Sequence, residues 1–185
     1  MRPPLPKDVF PRCLETARLV LRSPEEAGRM LYARQAREAC GQPGALSNDQ
    51  ADAFATFMIA HWKRYGFGFL VMNAVDRSGN VTPIGHVGFK YIDAWPNHYA
   101  ESYEAIELGY SQIPSARGNG YVTEAARAAL AAAFAAFDVP SISAKCNREN
   151  LKSAAVILRC GMREVVSNDK MRRFSIERPA LLPPA

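Results

Sequence analysis

Residues 104–125 read Glu-Ala-Ile-Glu-Leu-Gly-Tyr-Ser-Gln-Ile-Pro-Ser-Ala-Arg-Gly-Asn-Gly-Tyr-Val-Thr-Glu-Ala, and this stretch decides the fold. Residues 105–113 alternate as a strand does: Ile106 and Leu108 share one face, and Glu107 is turned to the other. Pro114 ends the strand, and a loop containing Arg117, Gly118, Asn119 and Gly120 feeds a helix expected from Gly120 to about Asp138. Consecutive N–H groups in such a loop converge, and the positive end of the helix adds to them. The turn therefore suits an anion such as a pyrophosphate, and the glycines let it come close to the backbone. Nine of the twelve residues from Ala125 to Ala136 are alanine. Leu130, Phe134 and Phe137 recur at helical spacing and supply the face that lies on a sheet. The loop is not a Walker loop, because no Gly-Lys-Ser/Thr follows, and it lacks the third glycine and distal acid of a dinucleotide fingerprint. On its own, Gly-x-Gly here also fits a plain tight turn.

Outward from this segment the chain alternates strands and helices. Upstream, residues 18–22 read as a strand. Ser23, with Pro24 and Glu26, caps a helix expected to reach about Cys40, and Ser47 with Gln50 caps a second. That second helix carries Phe54, Phe57, Met58, His61, Trp62 and Tyr65 at helical spacing, so His61 reads as a packed histidine and not as a ligand. Residues 67–75 and 84–92 read as strands joined by the turn residues Asp76-Arg77-Ser78-Gly79-Asn80. A polar, aromatic-rich loop spans residues 93–102. Downstream, residues 141–146 form a strand, and Asn150 caps a helix that ends at Gly161. Residues 162–166 and 172–176 close the chain as a strand pair. The order implies an α/β (α+β) fold, a mixed sheet with helices on its faces, in one domain over residues 1–185. The Pro-rich ends, residues 1–12 and 178–185, read as extended or frayed.

The 185 residues carry 23 Lys+Arg against 18 Asp+Glu, a formal charge of +5. No apolar run reaches the ~18 residues of a membrane span, and no apolar signal segment opens the chain, which points to the cytoplasm. Cys13, Cys40, Cys146 and Cys160, like His61, His86 and His98, are scattered without ligand spacing, so no metal site is expected. The basic residues are spread along the chain with no aromatic-interleaved cluster. This disfavours nucleic acid and fits a polyanionic small molecule.

The loop Arg117-Gly118-Asn119-Gly120-Tyr121-Val122 resembles motif A of the Gcn5-related N-acetyltransferase (GNAT) superfamily, Gln/Arg-x-x-Gly-x-Gly/Ala, with Val122 in place of a small residue. Gly120-Tyr121-Val122-Thr123-Glu124-Ala125 is similar to the Gly-Tyr-Ala-Thr-Glu-Ala of its ribosomal-protein N-terminal-amine acetyltransferase branch. The opening Glu15-Thr16-Ala17-Arg18-Leu19-Val20-Leu21-Arg22 is similar to that branch's Glu-Thr-x-Arg-Leu-x-Leu-Arg. Asn147 to Ser153, followed by Leu158-Arg159-Cys160-Gly161-Met162, resembles its Asn-x-x-Asn-x-x-Ser…Lys-x-Gly-Phe block, with Arg159 for Lys and Met162 for Phe. The likeness covers about Glu15 to Ile176.

The resemblance implies a mostly antiparallel seven-stranded sheet splayed between its fourth and fifth strands, with about four helices. It implies acetyl-CoA as co-substrate and no metal. The pyrophosphate would lie on Arg117, Gly118, Asn119, Gly120 and Tyr121. The pantetheine would lie along the backbone of Tyr110, Gln112 and Ile113 and beside Asn147 and Asn150, while a backbone N–H near Gly109 or Tyr110 would polarise the acetyl carbonyl. Glu107 is the expected general base, because a mid-strand carboxylate needs a task or a partner. A salt bridge to an arginine is the competing role, and Glu101 and Glu104 are rival bases. Ser153, on a helix without tyrosine, would donate to the leaving thiolate, or else bond the backbone near Asn150. The acceptor would be a primary amine, on a protein N-terminus or a small molecule, attacking directly in a ternary complex. The enzyme would be a monomer or homodimer. The alternatives are a CoA-binding module without turnover, or a longer acyl donor. A covalent route through Cys146 or Cys160 lacks an activating histidine in the motif blocks.

Overall fold

The computed structural model describes residues 10–24, 47–91 and 106–179. Its strands are β1 (Cys13–Glu15), β2 (Leu19–Arg22), β3 (Phe69–Val75), β4 (Val81–Tyr91), β5 (Ile106–Gln112), β6 (Ser141–Asn147), β7 (Arg163–Ser167) and β8 (Met171–Glu177). The helices described are α1 (Asn48–Tyr65), α2 (Tyr121–Ala136) and α3 (Leu151–Arg159), with a single 3₁₀ turn at Pro114–Ala116. The strands form one eight-stranded sheet in the order β1-β2-β3-β4-β5-β6-β8-β7. Every seam is antiparallel except β5–β6, which is parallel.

The mixed α/β architecture is the one expected, with one strand more. β1 is only three residues long, too short to show an alternation, and the Thr16–Leu19 turn folds it onto β2. The helix expected from Ser23 to about Cys40 lies outside the described residues from residue 25 on, as does the 93–102 loop with Trp95, His98 and Tyr99. Two end residues correct the reading of frayed termini. Phe10 is fully buried, with its ring 5.5 Å from that of Phe137 and 5.8 Å from that of Phe89. Arg178 bonds the carbonyls of Phe134, Phe137 and Val139, so it satisfies the end of α2 as a basic residue near a helix C-terminus can.

Capping follows the sequence. Ser47 and Gln50 form a reciprocal capping box at α1, and the Asn150 side chain accepts from the Ser153 N–H at 3.0 Å. The alanines of α2 let the helix lie close on the sheet: Ala125, Ala126, Ala129 and Ala133 are fully buried, beside Leu130 and Phe137. On the opposite face α1 packs Ala51, Ala55 and Met58 on Phe69 and Val71. His61 is the packed histidine expected, with Nδ1 donating to the Phe67 carbonyl at 2.8 Å.

One seam sets up the site. β5 pairs with β4 along its whole length, from Tyr91↔Ile106 to Gly85↔Gln112. β5 and β6 pair only at Glu107↔Ser143 and Leu108↔Ala144. Beyond Leu108 the two strands part, and the backbone from Gly109 to Gln112 lines an open groove.

Candidate active site

The groove encloses about 1810 Å³. One wall is β5 from Gly109 to Gln112, and the other is Asn147 of β6 with Asn150, Lys152 and Ser153 at the start of α3. Its far end is the loop Arg117–Gly120 running into α2. The loop needs glycine. Gly118 and Gly120 sit at φ +85° and +77°, the left-handed region that side chains disfavour. No side chain caps α2, so the N–H groups of its first turn stay open toward its N-terminal end. A Cβ on Gly118 would meet nothing within 4 Å, and one on Gly120 only Arg18 at 3.7 Å, so the cradle has space above it. At the seam, the Gln112 amide nitrogen is buried without a hydrogen-bond partner among the described residues. An elongated groove with an anion cradle at one end and an unmet donor in its wall fits an extended polyanionic ligand.

The middle of the groove holds hydroxyls. The Tyr110 hydroxyl lies 2.8 Å from Ser153 Oγ and donates to the Ser153 carbonyl at 3.0 Å. Ser153 therefore gives its backbone N–H to Asn150 while its hydroxyl pairs across the groove with Tyr110. Burial pushes the Tyr110 phenol far above the ordinary tyrosine value, so it remains a proton donor at all working pH. Burial likewise raises Cys146 and pushes Cys160 up to about 11, which leaves both as thiols and not as nucleophiles.

Glu107 lies in the paired part of the seam, opposite Ser143 and one residue before the last pair, Leu108↔Ala144. It is 7% exposed, and its two oxygens face the Lys90 ammonium at 2.9 Å and the Lys145 ammonium at 3.2 Å. Its partners are lysines, where the competing sequence reading named an arginine. Among the described residues it is the only buried carboxylate. It does not line the groove. Ile113 and Tyr121 do not line it either: the Ile113 N–H is taken by the Ile84 carbonyl at 2.9 Å, and the Tyr121 ring lies under the Arg18 guanidinium. Of the other residues expected at the site, Tyr110, Gln112, Arg117, Gly118, Asn119, Gly120, Asn147, Asn150 and Ser153 come together along it. Glu101 and Glu104 lie outside the described residues.

The sequence did not single out the rest of the groove's lining. Phe54, Phe69 and His86 line it at the end nearer β3 and β4. The Phe69 ring lies over Gly109, where an added Cβ would come within 2.7 Å of it. His86 sits between Phe54 and Phe69, with ring centroids at 5.5 and 5.3 Å, and burial pulls its pKa down to about 4. Thr16, Arg18 and Glu124 also reach the groove, beside the loop. Their signal was present as two matched motifs, but nothing in the linear order showed that the motifs meet. Among the described residues no group of three or more His, Cys, Asp or Glu converges, and no helix is long and apolar enough to cross a membrane.

Residues 18–163 match the family model for the acetyltransferase (GNAT) domain. Solved structures share the fold. A protein of Bordetella pertussis assigned to the GNAT-family acetyltransferases superposes with a TM-score of 0.73 at 23% identity, covering 89% of this chain and 99% of its own. The microcin C7 self-immunity acetyltransferase MccE, in complex with acetyl-CoA and AMP, gives 0.66 at 17% identity, covering 92% and 98%. RimL, a ribosomal L7/L12 alpha-N-protein acetyltransferase in complex with coenzyme A, gives 0.65 at 16% identity, covering 92% and 98%.

Proposed function

The chain belongs to the GNAT acetyltransferase family, and from that premise we propose that it is an acetyl-CoA-dependent N-acetyltransferase, one domain over residues 1–185, acting on a primary amine. The observation that carries this reading is the parting of β5 from β6 directly above an uncapped, glycine-built helix start. An extended thioester needs both features. The cradle of Arg117, Gly118, Asn119 and Gly120 takes its pyrophosphate. The freed backbone of β5 takes its pantetheine arm, with Gln112, Asn147 and Asn150 beside it. Relatives of the same fold are described with acetyl-CoA or coenzyme A bound.

The residues divide the work of acyl transfer. An N–H near Gly109 or Tyr110 polarises the thioester carbonyl as negative charge develops on its oxygen. Tyr110 and Ser153 place a hydroxyl pair where the thiolate departs, and Tyr110, held protonated by burial, keeps that pair supplied with a donor. Glu107 is assigned the ammonium proton, directly or through a water. Its burial in β5, on the face of the strand shared with Gly109, supports this. Its two lysine partners argue for a strut instead, and His86 is the second candidate because it lines the groove where Glu107 does not. With neither cysteine poised as a nucleophile, the amine attacks the thioester directly. The acceptor is a protein N-terminus, as the name of RimL suggests for that relative, or a small amine.

The test is a thiol-release screen with acetyl-CoA over N-terminal peptides, amino acids, polyamines and aminoglycosides. The expected result is amine-dependent release, with the acetyl group recovered on the amine. Coenzyme A binding with no release for any amine would make the protein a binding module. Faster release from a longer acyl-CoA would change the donor.

A further inference from the structure

Two sequence motifs about a hundred positions apart close on each other at the phosphate loop. Thr16 and Arg18 belong to the turn between β1 and β2, and Glu124 to the first turns of α2. Thr16 Oγ1 donates to Glu124 Oε1 at 2.7 Å, and the Arg18 backbone N–H donates to the same oxygen at 3.0 Å. The Arg18 guanidinium takes the other oxygen, Nε at 2.8 Å and Nη2 at 2.6 Å. Its remaining nitrogen, Nη1, donates to the Asn119 carbonyl at 3.0 Å, and the guanidinium lies 4.7 Å from the centroid of the Tyr121 ring. Arg18 thus spans Glu124 and both residues that flank Gly120.

The consequence follows from peptide geometry. A trans peptide is planar, with its C=O and N–H pointing in opposite directions. Holding the Asn119 carbonyl fixes the plane of the 119–120 peptide and so fixes the direction of the Gly120 N–H. The Asn119 side chain does the same upstream, with Nδ2 donating to the carbonyls of Ala116 at 3.1 Å and Arg117 at 3.3 Å. A loop that receives an anion must keep its carbonyl oxygens occupied elsewhere. Here three of them are, and two left-handed glycines give the loop no stiffness of its own. Burial alone would raise the Glu124 carboxyl, but its bonds to Thr16 and Arg18 outweigh that and hold it below the ordinary value, so the brace is ionised at neutral pH.

We propose that Thr16, Arg18 and Glu124 are positioning residues that hold the phosphate loop in its anion-receiving form, so that Arg18 serves the ligand through the backbone of Asn119 and Gly120. This rests on the reading of that loop as the pyrophosphate site of acetyl-CoA. The test compares coenzyme A with pantetheine, which has the same thiol arm but no pyrophosphate, by titration calorimetry on the full chain. No acceptor is needed. Glu124→Gln and Arg18→Met are expected to weaken coenzyme A binding about tenfold and leave pantetheine unchanged. Arg18→Lys keeps the charge beside Glu124 but loses the fork that spans to Asn119, and should recover only part of the loss. A merely structural role would lower both ligands together. Equal loss for both, or no loss for coenzyme A, overturns the brace. If the wild-type protein itself binds coenzyme A no better than pantetheine, the pyrophosphate reading of the loop fails and takes the brace with it. A thermal midpoint measured for each variant identifies any that fails to fold, and Thr16→Val, the mildest change, then carries the same comparison.

Discussion

The two ends of the groove are built from different materials. At the loop, the groups that face the ligand are backbone N–H groups, held by polar side chains that stand half in water: the side chain of Arg18 is 47% exposed and that of Glu124 20%. At the end formed by α1, β3 and β4, the lining is made of side chains: Phe54 and Phe69, which pack in an apolar cluster with Ala51, Ala55, Met58 and Val71, and His86, whose ring lies between theirs. Backbone recognition depends on local conformation, so it needs glycines in order. Side-chain recognition depends on which elements meet, so it needs the whole fold. The donor end should therefore break through conformation and charge, and the other end through burial and titration.

The sharpest break is Gly120→Asp. The left-handed backbone there costs a non-glycine residue about 1 kcal/mol or more, and a carboxylate beside the bound pyrophosphate adds about 2–3 kcal/mol at a partly exposed site. Coenzyme A affinity is expected to fall several hundredfold, read by calorimetry, while the backbone strain lowers the thermal midpoint by only a few degrees, since an added Cβ meets only Arg18, at 3.7 Å. Gly120→Ala carries the strain without the charge and should lose about fivefold to tenfold. Equal losses for the two would remove charge from the account of this end.

The same contrast governs what could be read before the fold was seen. The loop, the helix after it and the capping residues Ser47, Gln50 and Asn150 were legible because each is a local pattern: left-handed glycines, an alanine face, a side chain reaching its own helix end. The parting of β5 and β6 came from resemblance, since no spacing in the sequence says where two strands separate. Phe10 and Arg178 were misread because they lie in proline-rich ends, and what orders them is the aromatic core and the carbonyls at the end of α2, both far away in sequence. The brace was visible as two motifs and invisible as a contact. His86 was invisible altogether. A histidine among strand residues has no linear signature, and only the convergence of Phe54 from α1 with Phe69 from β3 gives it a setting.

That setting yields the second prediction. His86 has a folded pKa of about 4 against 6.5 for the free side chain, because burial disfavours its charged form. Between those values the unfolded chain binds a proton that the folded chain does not, so stability is complete above pH 6.5 and is lost as pH falls toward 4. From pH 7 to pH 5 the loss from this residue is about 2 kcal/mol, read as a fall in the urea midpoint. His86→Phe should remove most of the slope. Part remains, because His61 is also lowered by burial and titrates in the same direction. A variant as acid-sensitive as the wild type would place the titration elsewhere and weaken the contrast between the two ends.

Glu107 gives the smallest expected effect and the finest discrimination. A carboxylate between two ammonium groups can be a proton acceptor or an electrostatic strut, and Glu107→Gln removes the charge while keeping the shape. As base, the substitution lowers kcat about tenfold, abolishes the acid limb of the kcat–pH profile, and leaves coenzyme A affinity intact, since Glu107 lies outside the groove wall. As strut, it leaves Lys90 and Lys145 facing each other without their anion, lowers the thermal midpoint, and keeps the acid limb because the true acceptor is untouched. An unchanged rate ends the assignment to Glu107. The profile would then be repeated on His86→Gln, because a base at the side-chain-built end must be a group that reaches the groove, and His86 does.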